Sequence, residues 1–419
     1  MPRFASLRAL TAATLLALVL PASAAEATRV ASSGDEENPF DLDFTVRFDY
    51  QQNRALITRE YTYDYAGASP TPLGAVEERP ELRYRRRSTA IVPRFAVGIY
   101  KDLEVHLEIP YVLDSNATWR YAFRDGAKLT DADSATGRND VNPDGTPCAT
   151  LPCPAVTAIG ESFRGTRWGD LKIGAAWGIL SDARDDTKPF WLIGVDFTFP
   201  TSRMNDPYLA PSYVEATPGP FGDEALKVDF ITALSKRMGA VDPYVRFHAT
   251  SYRASSDTYS NCDHLTPAPA ACSESKYGAR PPWIAGAAFG AEIVTGENKA
   301  DGMRVALDFR LTADYVSASR WYNELTDATG KLLATEDYFN VQAFFGFYWR
   351  ASKYMQLQAT THIGSETPHF ITGESTGALD AAGKATNPNF DYRYDPAGRR
   401  YRVTEVSDFG VALSGVLQF

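Results

Sequence analysis

The last eleven residues alternate. Phe409, Val411, Leu413, Leu417 and Phe419 fall at every second position, and Gly410, Ala412, Ser414 and Gln418 lie between them. Successive side chains of an extended chain point to opposite faces, so this segment is a strand with one apolar face and one small or polar face. An apolar face that runs out to a terminal phenylalanine is expected to meet lipid. The small polar face is then expected to turn inward.

Near the other end, Arg3 and Arg8 precede an apolar run from Leu10 to Leu20, followed by Ala22-Ser23-Ala24. A charged start, a short apolar stretch and a small-residue site are the marks of a secretory signal, with cleavage expected before Ala25. The run is too short for a membrane-spanning helix, and no later stretch reaches eighteen apolar residues. An exported chain without a helical anchor is left with the periplasm, the medium or the outer membrane.

Lysine and arginine number 42 against 52 aspartate and glutamate. The signal carries two of the arginines and no acid, so 40 basic residues face 52 acidic ones after it, a net charge of −12. Such a chain has no basic footprint for nucleic acid. The four cysteines form two local pairs, Cys148 with Cys153 and Cys262 with Cys272. Export places them in an oxidising compartment, where local disulfides are the expected state.

Period-two patterning recurs in twelve segments. In the first, Leu42, Phe44, Val46, Phe48 and Tyr50 alternate with Asp43, Thr45, Arg47, Asp49 and Gln51. The second, near 82–99, ends with Phe95, Val97 and Ile99 outward. The third carries Leu103, Val105, Leu107, Ile109 and Tyr111 outward against Glu104, His106 and Glu108. Others lie near 169–180, 190–201, 224–237, 241–252, 282–294, 303–315, 338–350, 354–364 and 400–419. Pro93, Pro200 and Pro243 count against full pairing, because proline lacks a ladder donor.

Short connections (100–102, 181–189, 238–240, 295–302, 351–353) alternate with long ones (53–80, 114–168, 202–223, 253–281, 316–337, 365–399). That sorting, with lipid-length strands and an aromatic outer face (Trp191, Phe197, Phe199, Trp283, Phe289, Phe339, Phe345, Phe347, Trp349), predicts an all-β, up-and-down antiparallel barrel of about twelve strands in the cell outer membrane. A charge near the midplane of that face would cost roughly 2–4 kcal/mol. The organisation expected is a signal over 1–24, an N-terminal periplasmic segment over 25–41 and the barrel over 42–419. Its partners would be outer-membrane lipid and lipopolysaccharide, the barrel-assembly machinery reading the last strand, and a small-molecule solute.

By strand parity the lumen is expected to be lined by Arg47, Arg94, Glu104, His106, Glu108, Asp170, Lys172, Asp196, Lys227, Asp229, Arg246, His248, Arg304, Asp308, Arg310, Arg350 and His362. Asp43, Asp49, Glu292 and Asp314 share those faces. Acids and bases nearly balance. Either they pair across strands and brace the wall, or they border a polar conduit that orients a solute.

No catalytic set is complete, and no cofactor or metal is expected. Gly373-Glu374-Ser375-Thr376-Gly377 has the spacing of a nucleophile elbow but lacks the strand–turn–helix context that strains the serine. The strand histidines point inward, unlike those of barrel lipid hydrolases. Asp140, Asn142, Asp144 and Gly145 open like a calcium loop, but Pro143 interrupts it and Leu151 stands where the closing glutamate belongs, so a polar turn is expected.

Two stretches, Val97–Tyr111 and Gly169–Ala176 continuing through Val195–Thr201, resemble the outer-membrane barrels of the phenol meta-cleavage-pathway transporter type. The resemblance covers about 90–201 and implies a passive channel for small solutes, aromatic or apolar ones among them. The large loops at 114–168 and 365–399 keep a surface-exposed structural or adhesive barrel as the alternative.

Overall fold

The structure is a computed structural model. It describes residues 25–33, 41–64, 71–130, 134, 136, 141–148, 160–264, 278–374 and 387–419, apart from Thr166, Ala183, Asp186, Asp223, Ser256, Asp257 and Lys299. Twelve antiparallel strands close into a barrel: β1 (Leu42–Asp64), β2 (Thr71–Tyr100), β3 (Leu103–Glu108, resuming as Tyr111–Tyr121), β4 (Leu171–Leu180), β5 (Phe190–Phe199), β6 (Ala225–Ser235), β7 (Val241–Ala254), β8 (Ile284–Asn298), β9 (Met303–Val316), β10 (Tyr338–Ser352), β11 (Met355–Glu366) and β12 (Tyr401–Gln418). Each pairs with its sequence neighbours, and β12 returns to β1 in register from Asp43↔Gln418 to Arg59↔Tyr401. The terminal Phe419 joins this seam: its N–H donates to the Leu42 carbonyl at 3.0 Å, and Leu42 N–H donates back at 3.1 Å. Closure removes the unpaired edges that a bilayer cannot satisfy.

The alternation puts the expected apolar side chains outside. Phe48, Phe95, Val105, Trp191, Phe289, Phe347, Leu413 and Phe419 are all exposed, whereas Glu104, His106, Glu292, Arg304 and Asp308 are buried. Around one rim Trp283, Tyr315 and Phe339 pack in turn, tilted and edge to face, with ring centroids 5.1 and 5.4 Å apart. That is where amphipathic rings meet a membrane interface. Pro93 and Pro243 lie within strands, and Pro200 follows directly on the end of β5. Pro110 divides the third strand: Leu103–Glu108 pairs with β4, whereas Tyr111–Tyr121 pairs with two short strands, Glu161–Arg164 and Arg167–Trp168.

The first hairpin departs from expectation. The segment near 53–80 is not a long loop. β1 and β2 stay paired through Asp64↔Thr71, so only 65–70 connects them. A strand of 23 residues spans roughly 75 Å, far more than the 9–11 residues a tilted crossing requires. Above the membrane the apolar residues change face. Ala55, Ile57, Leu82, Tyr84, Ala117 and Trp119 point inward and join Leu325, Leu333, Ile371, Tyr394, Tyr401 and Val403 in one buried cluster. In water the same sheet must bury what in lipid it exposes. Reading every apolar residue of these strands as lipid-facing truncates them at the interface.

Candidate functional site

At the short-turn end the barrel is filled by its own N-terminal segment. Residues 25–33, expected as a periplasmic segment, thread among inward side chains of seven strands. The Glu26 carboxylate lies 2.5 Å from Arg350 and 3.4 Å from Arg304 and accepts from Gln356 at 3.2 Å, while its N–H donates to Glu292 at 2.7 Å. Burial pushes that carboxyl up, but Arg350, Arg29 and Arg304 outweigh it and hold it below its ordinary range. Thr28 meets Ser235 at 3.0 Å, Arg29 reaches Asp43 at 3.5 Å, and Ala31 N–H donates to Glu104 at 2.7 Å. Gly98 gives the segment room: a Cβ there would stand 2.8 Å from the Ser32 backbone.

Across the wall above this segment, the inward charges are mostly paired. Arg94 bonds Glu104 and lies 3.4 Å from Glu108, which Lys172 approaches at 3.2 Å. Arg47 pairs with Asp49 at 2.8 Å and Lys227 with Asp229 at 3.3 Å, and Arg304 bonds Glu292. Tyr244 donates to Asp308 at 2.6 Å. Asp170 accepts from Ser202, from its N–H at 2.9 Å and its hydroxyl at 2.6 Å, and so ties a long loop to the wall. Arg246 and Arg310 make no ion pair with a carboxylate among the described residues, and Arg310 instead lies 4.3 Å over the Phe344 ring.

Each strand histidine sits over a glycine. His106 faces Gly174 and reaches Asp196 on the strand beyond at 3.0 Å, and His248 faces Gly286 and reaches Asp314 at 3.3 Å. His362 faces Gly410 and bonds Asp408 at 3.0 Å. A Cβ would lie 2.4 Å from the His106 ring at Gly174 and 2.4 Å from the His248 ring at Gly286. At Gly174 and Gly286 the missing side chain lets the imidazole lie across one strand and reach the next, whereas His362 bonds Asp408 on the same strand as Gly410. Strand parity marks these histidines as inward, and the glycine opposite each is the further signal in the sequence.

Two recesses open on the inner face. One, about 390 Å³, is bordered by Arg47, Asp49, Glu108, Lys172 and Lys227. The other, about 340 Å³, is bordered by Tyr84, Arg86, Trp119, Arg164, Tyr322, Glu324 and Glu366. They share Gln51, Ser88 and Phe221. Phe221 comes from the 202–223 connection and Tyr322–Asp327 from the 316–337 connection, so both fold inward. A short helix, Thr326–Thr329, lies there, and Trp119 donates its indole N–H to the Glu324 carbonyl at 2.7 Å. Phe221, Tyr322 and the N-terminal segment were absent from the expected lining, because loop and terminal residues carry no strand parity to read.

Asn142–Gly145 is a turn whose oxygens are used internally: Asp144 accepts from the N–H and hydroxyl of Thr146 at 3.0 and 2.7 Å. Ser375 lies outside the described residues, and Glu374 beside it bonds Arg320 at 2.5 Å. Cys148 and Cys262 are both bonded cysteines, and their expected partners Cys153 and Cys272 lie outside the described residues.

No protein-family model matches this chain. No curated protein matches it either. Among solved structures it is similar to an outer membrane channel of Pseudomonas putida F1, with 13% identity and a TM-score of 0.42 over 90% of this chain and 95% of that one. A FadL homologue of Pseudomonas aeruginosa gives 8% identity and a TM-score of 0.35, covering 90% of each chain. The toluene transporter TodX of Pseudomonas putida gives 9% and 0.33, over 93% of this chain and 95% of that one. Closed twelve-strand pairing, an apolar outer belt and a charged, hydrogen-bonded interior make this chain a β-barrel of the outer membrane.

Proposed function

We propose that the barrel is a passive conduit for small solutes, closed at its periplasmic end by residues 25–33. The observation that carries this reading is the pair of inner recesses meeting at Gln51, Ser88 and Phe221, with the N-terminal segment across the short-turn end. The upper recess sets Tyr84, Trp119, Phe221 and Tyr322 beside Arg86 and Arg164. Rings and guanidinium planes together suit small aromatic solutes, including ones with a polar or anionic substituent. Inward-folded connections favour a constriction over a projecting adhesive surface.

Conductance and solute uptake in liposomes test this. The full chain is expected to conduct weakly, and deletion of residues 25–33 behind an intact signal to raise conductance sharply. A bilayer that stays sealed with both proteins would reject the conduit. The export assignments belong to the same reading: signal removal before Ala25, and Cys148–Cys153 and Cys262–Cys272 bridges in loops facing the medium. Unreduced tryptic mapping should recover each bridge within its own loop.

A further inference from the structure

The geometry points to a binding site for the phosphates of lipid A, the membrane anchor of lipopolysaccharide, on the outer wall of the first three strands. Just above the apolar belt the outward faces of β1, β2 and the Tyr111–Tyr121 strand carry Arg54, Arg83, Arg85, Arg87 and Arg120. Register places them together: Arg54 faces Arg85, and Arg83 faces Arg120. Three of these guanidinium groups converge on one neutral oxygen, the Gln52 amide Oε1. Arg85 approaches it at 2.9 Å, Arg87 at 3.3 Å and Arg54 at 3.4 Å. None of the five arginines makes an ion pair with a carboxylate among the described residues. They border a recess of about 760 Å³ whose acids are Asp114, Glu161 and Glu405, so cations prevail five to three.

Packing like charges around one amide is unfavourable unless an anion completes the group. In a chain of net charge −10 this excess of cations is local. Its height decides the ligand. On β2 the outward residues run from Ile99 through Val97, Phe95 and Ile91, all apolar, and then through Thr89 to Arg87, Arg85 and Arg83. The arginines therefore stand at the headgroup level of the leaflet on the long-loop side, where phosphates border the hydrocarbon. Guanidinium forks bind phosphate oxygens in pairs, and the acyl chains of the same lipid would lie along Phe48, Phe95 and their neighbours below. The site rests on the outer-membrane placement but not on the conduit, and a sealed barrel would leave it intact.

Native mass spectrometry of the detergent-purified full chain, titrated with bis-phosphorylated lipid A, is the test. One lipid is expected to bind with clear preference over dephosphorylated lipid A. The triple variant Arg54→Gln/Arg85→Gln/Arg87→Gln should bind about a hundredfold more weakly, taking each surface arginine at roughly its usual worth against an anionic lipid. Arg402→Gln, whose guanidinium already pairs with Glu78 at 3.2 Å, should change little. Heat-modifiable gel mobility checks that each variant is folded. Should the triple variant misfold, the single variant Arg87→Gln and the comparison of the two lipids on the unaltered protein decide. Equal binding of dephosphorylated lipid A, or inorganic phosphate competing at matched concentration, would overturn the site.

Discussion

At the scale of single residues, the wall is organised by what glycine omits. His106, His248 and His362 each lie across a glycine on the neighbouring strand and end on an aspartate. Tyr244 repeats the device over Gly290, where a Cβ would stand 2.3 Å from the phenol ring, and bonds Asp308. A buried polar ring left without its partner loses more than the bond itself, since its desolvation is no longer offset. Gly286→Ala should therefore act partly through His248: the new Cβ would stand 2.4 Å from its ring and 2.0 Å from Asp314 Oδ1 and must displace both. A loss of roughly 1–3 kcal/mol is expected from such overpacking. Urea unfolding in detergent, read by heat-modifiable mobility, measures it. Adding His248→Ala should recover part of the loss, and strictly additive effects would show that ring and glycine are uncoupled.

Among elements, the long connections are structural parts of the mouth. Asp391 and Asp395, in the connection before β12, are both buried yet are held oppositely. Burial raises Asp391, but Lys331 at 3.7 Å and Arg393 at 2.6 Å overcome it and bring it down to about 2. Burial raises Asp395 to about 6, partly opposed by Lys331 and by N–H donors from Asp391 and Gly373. The raised group stabilises docking below its ordinary value of 3.8, and that contribution is lost as pH climbs through about 6. The lowered group stabilises above 3.8 and fails only as pH falls toward about 2. Docking of 387–399 should therefore tighten by roughly 2–3 kcal/mol from pH 7 to pH 4 and weaken below that. Amide exchange at Tyr394 and Asp395, corrected for intrinsic rates, reads this directly. Asp395→Asn should flatten the slope between pH 7 and pH 4.

For the whole molecule, pairing governs how ions would experience the interior. Arg47, Arg94, Lys172, Lys227 and Arg304 each have a carboxylate of the wall within 3.8 Å, and deleting residues 25–33 removes one charge of each sign, Glu26 from Arg350 and Arg29 from Asp43. Paired charges leave little net field. The form lacking residues 25–33 should accordingly show a reversal potential near zero in a salt gradient. A strong anion or cation preference would mean that the pairs open when the segment leaves.

The barrel was legible from the chain because lipid is a severe solvent. It forces every second residue outward to be apolar for ten residues at a time, so strand number, face assignment and the β1–β12 seam follow from period and spacing. Loop length marks the ends of most strands, whereas of Pro93, Pro200 and Pro243 only Pro200 stands at one. The tertiary structure alone decided the rest. Above the membrane the solvent changes and the apolar parity inverts, hiding half of β1 and β2 from a single-rule reading. The polar N-terminal segment carries no periodicity. Only the ring of Glu104, Glu292, Arg304 and Arg350, drawn from β3 and from β8 to β10, gives Glu26 and Ala31 their place inside. Contacts between residues far apart in sequence depend on closure, and closure belongs to the assembled wall.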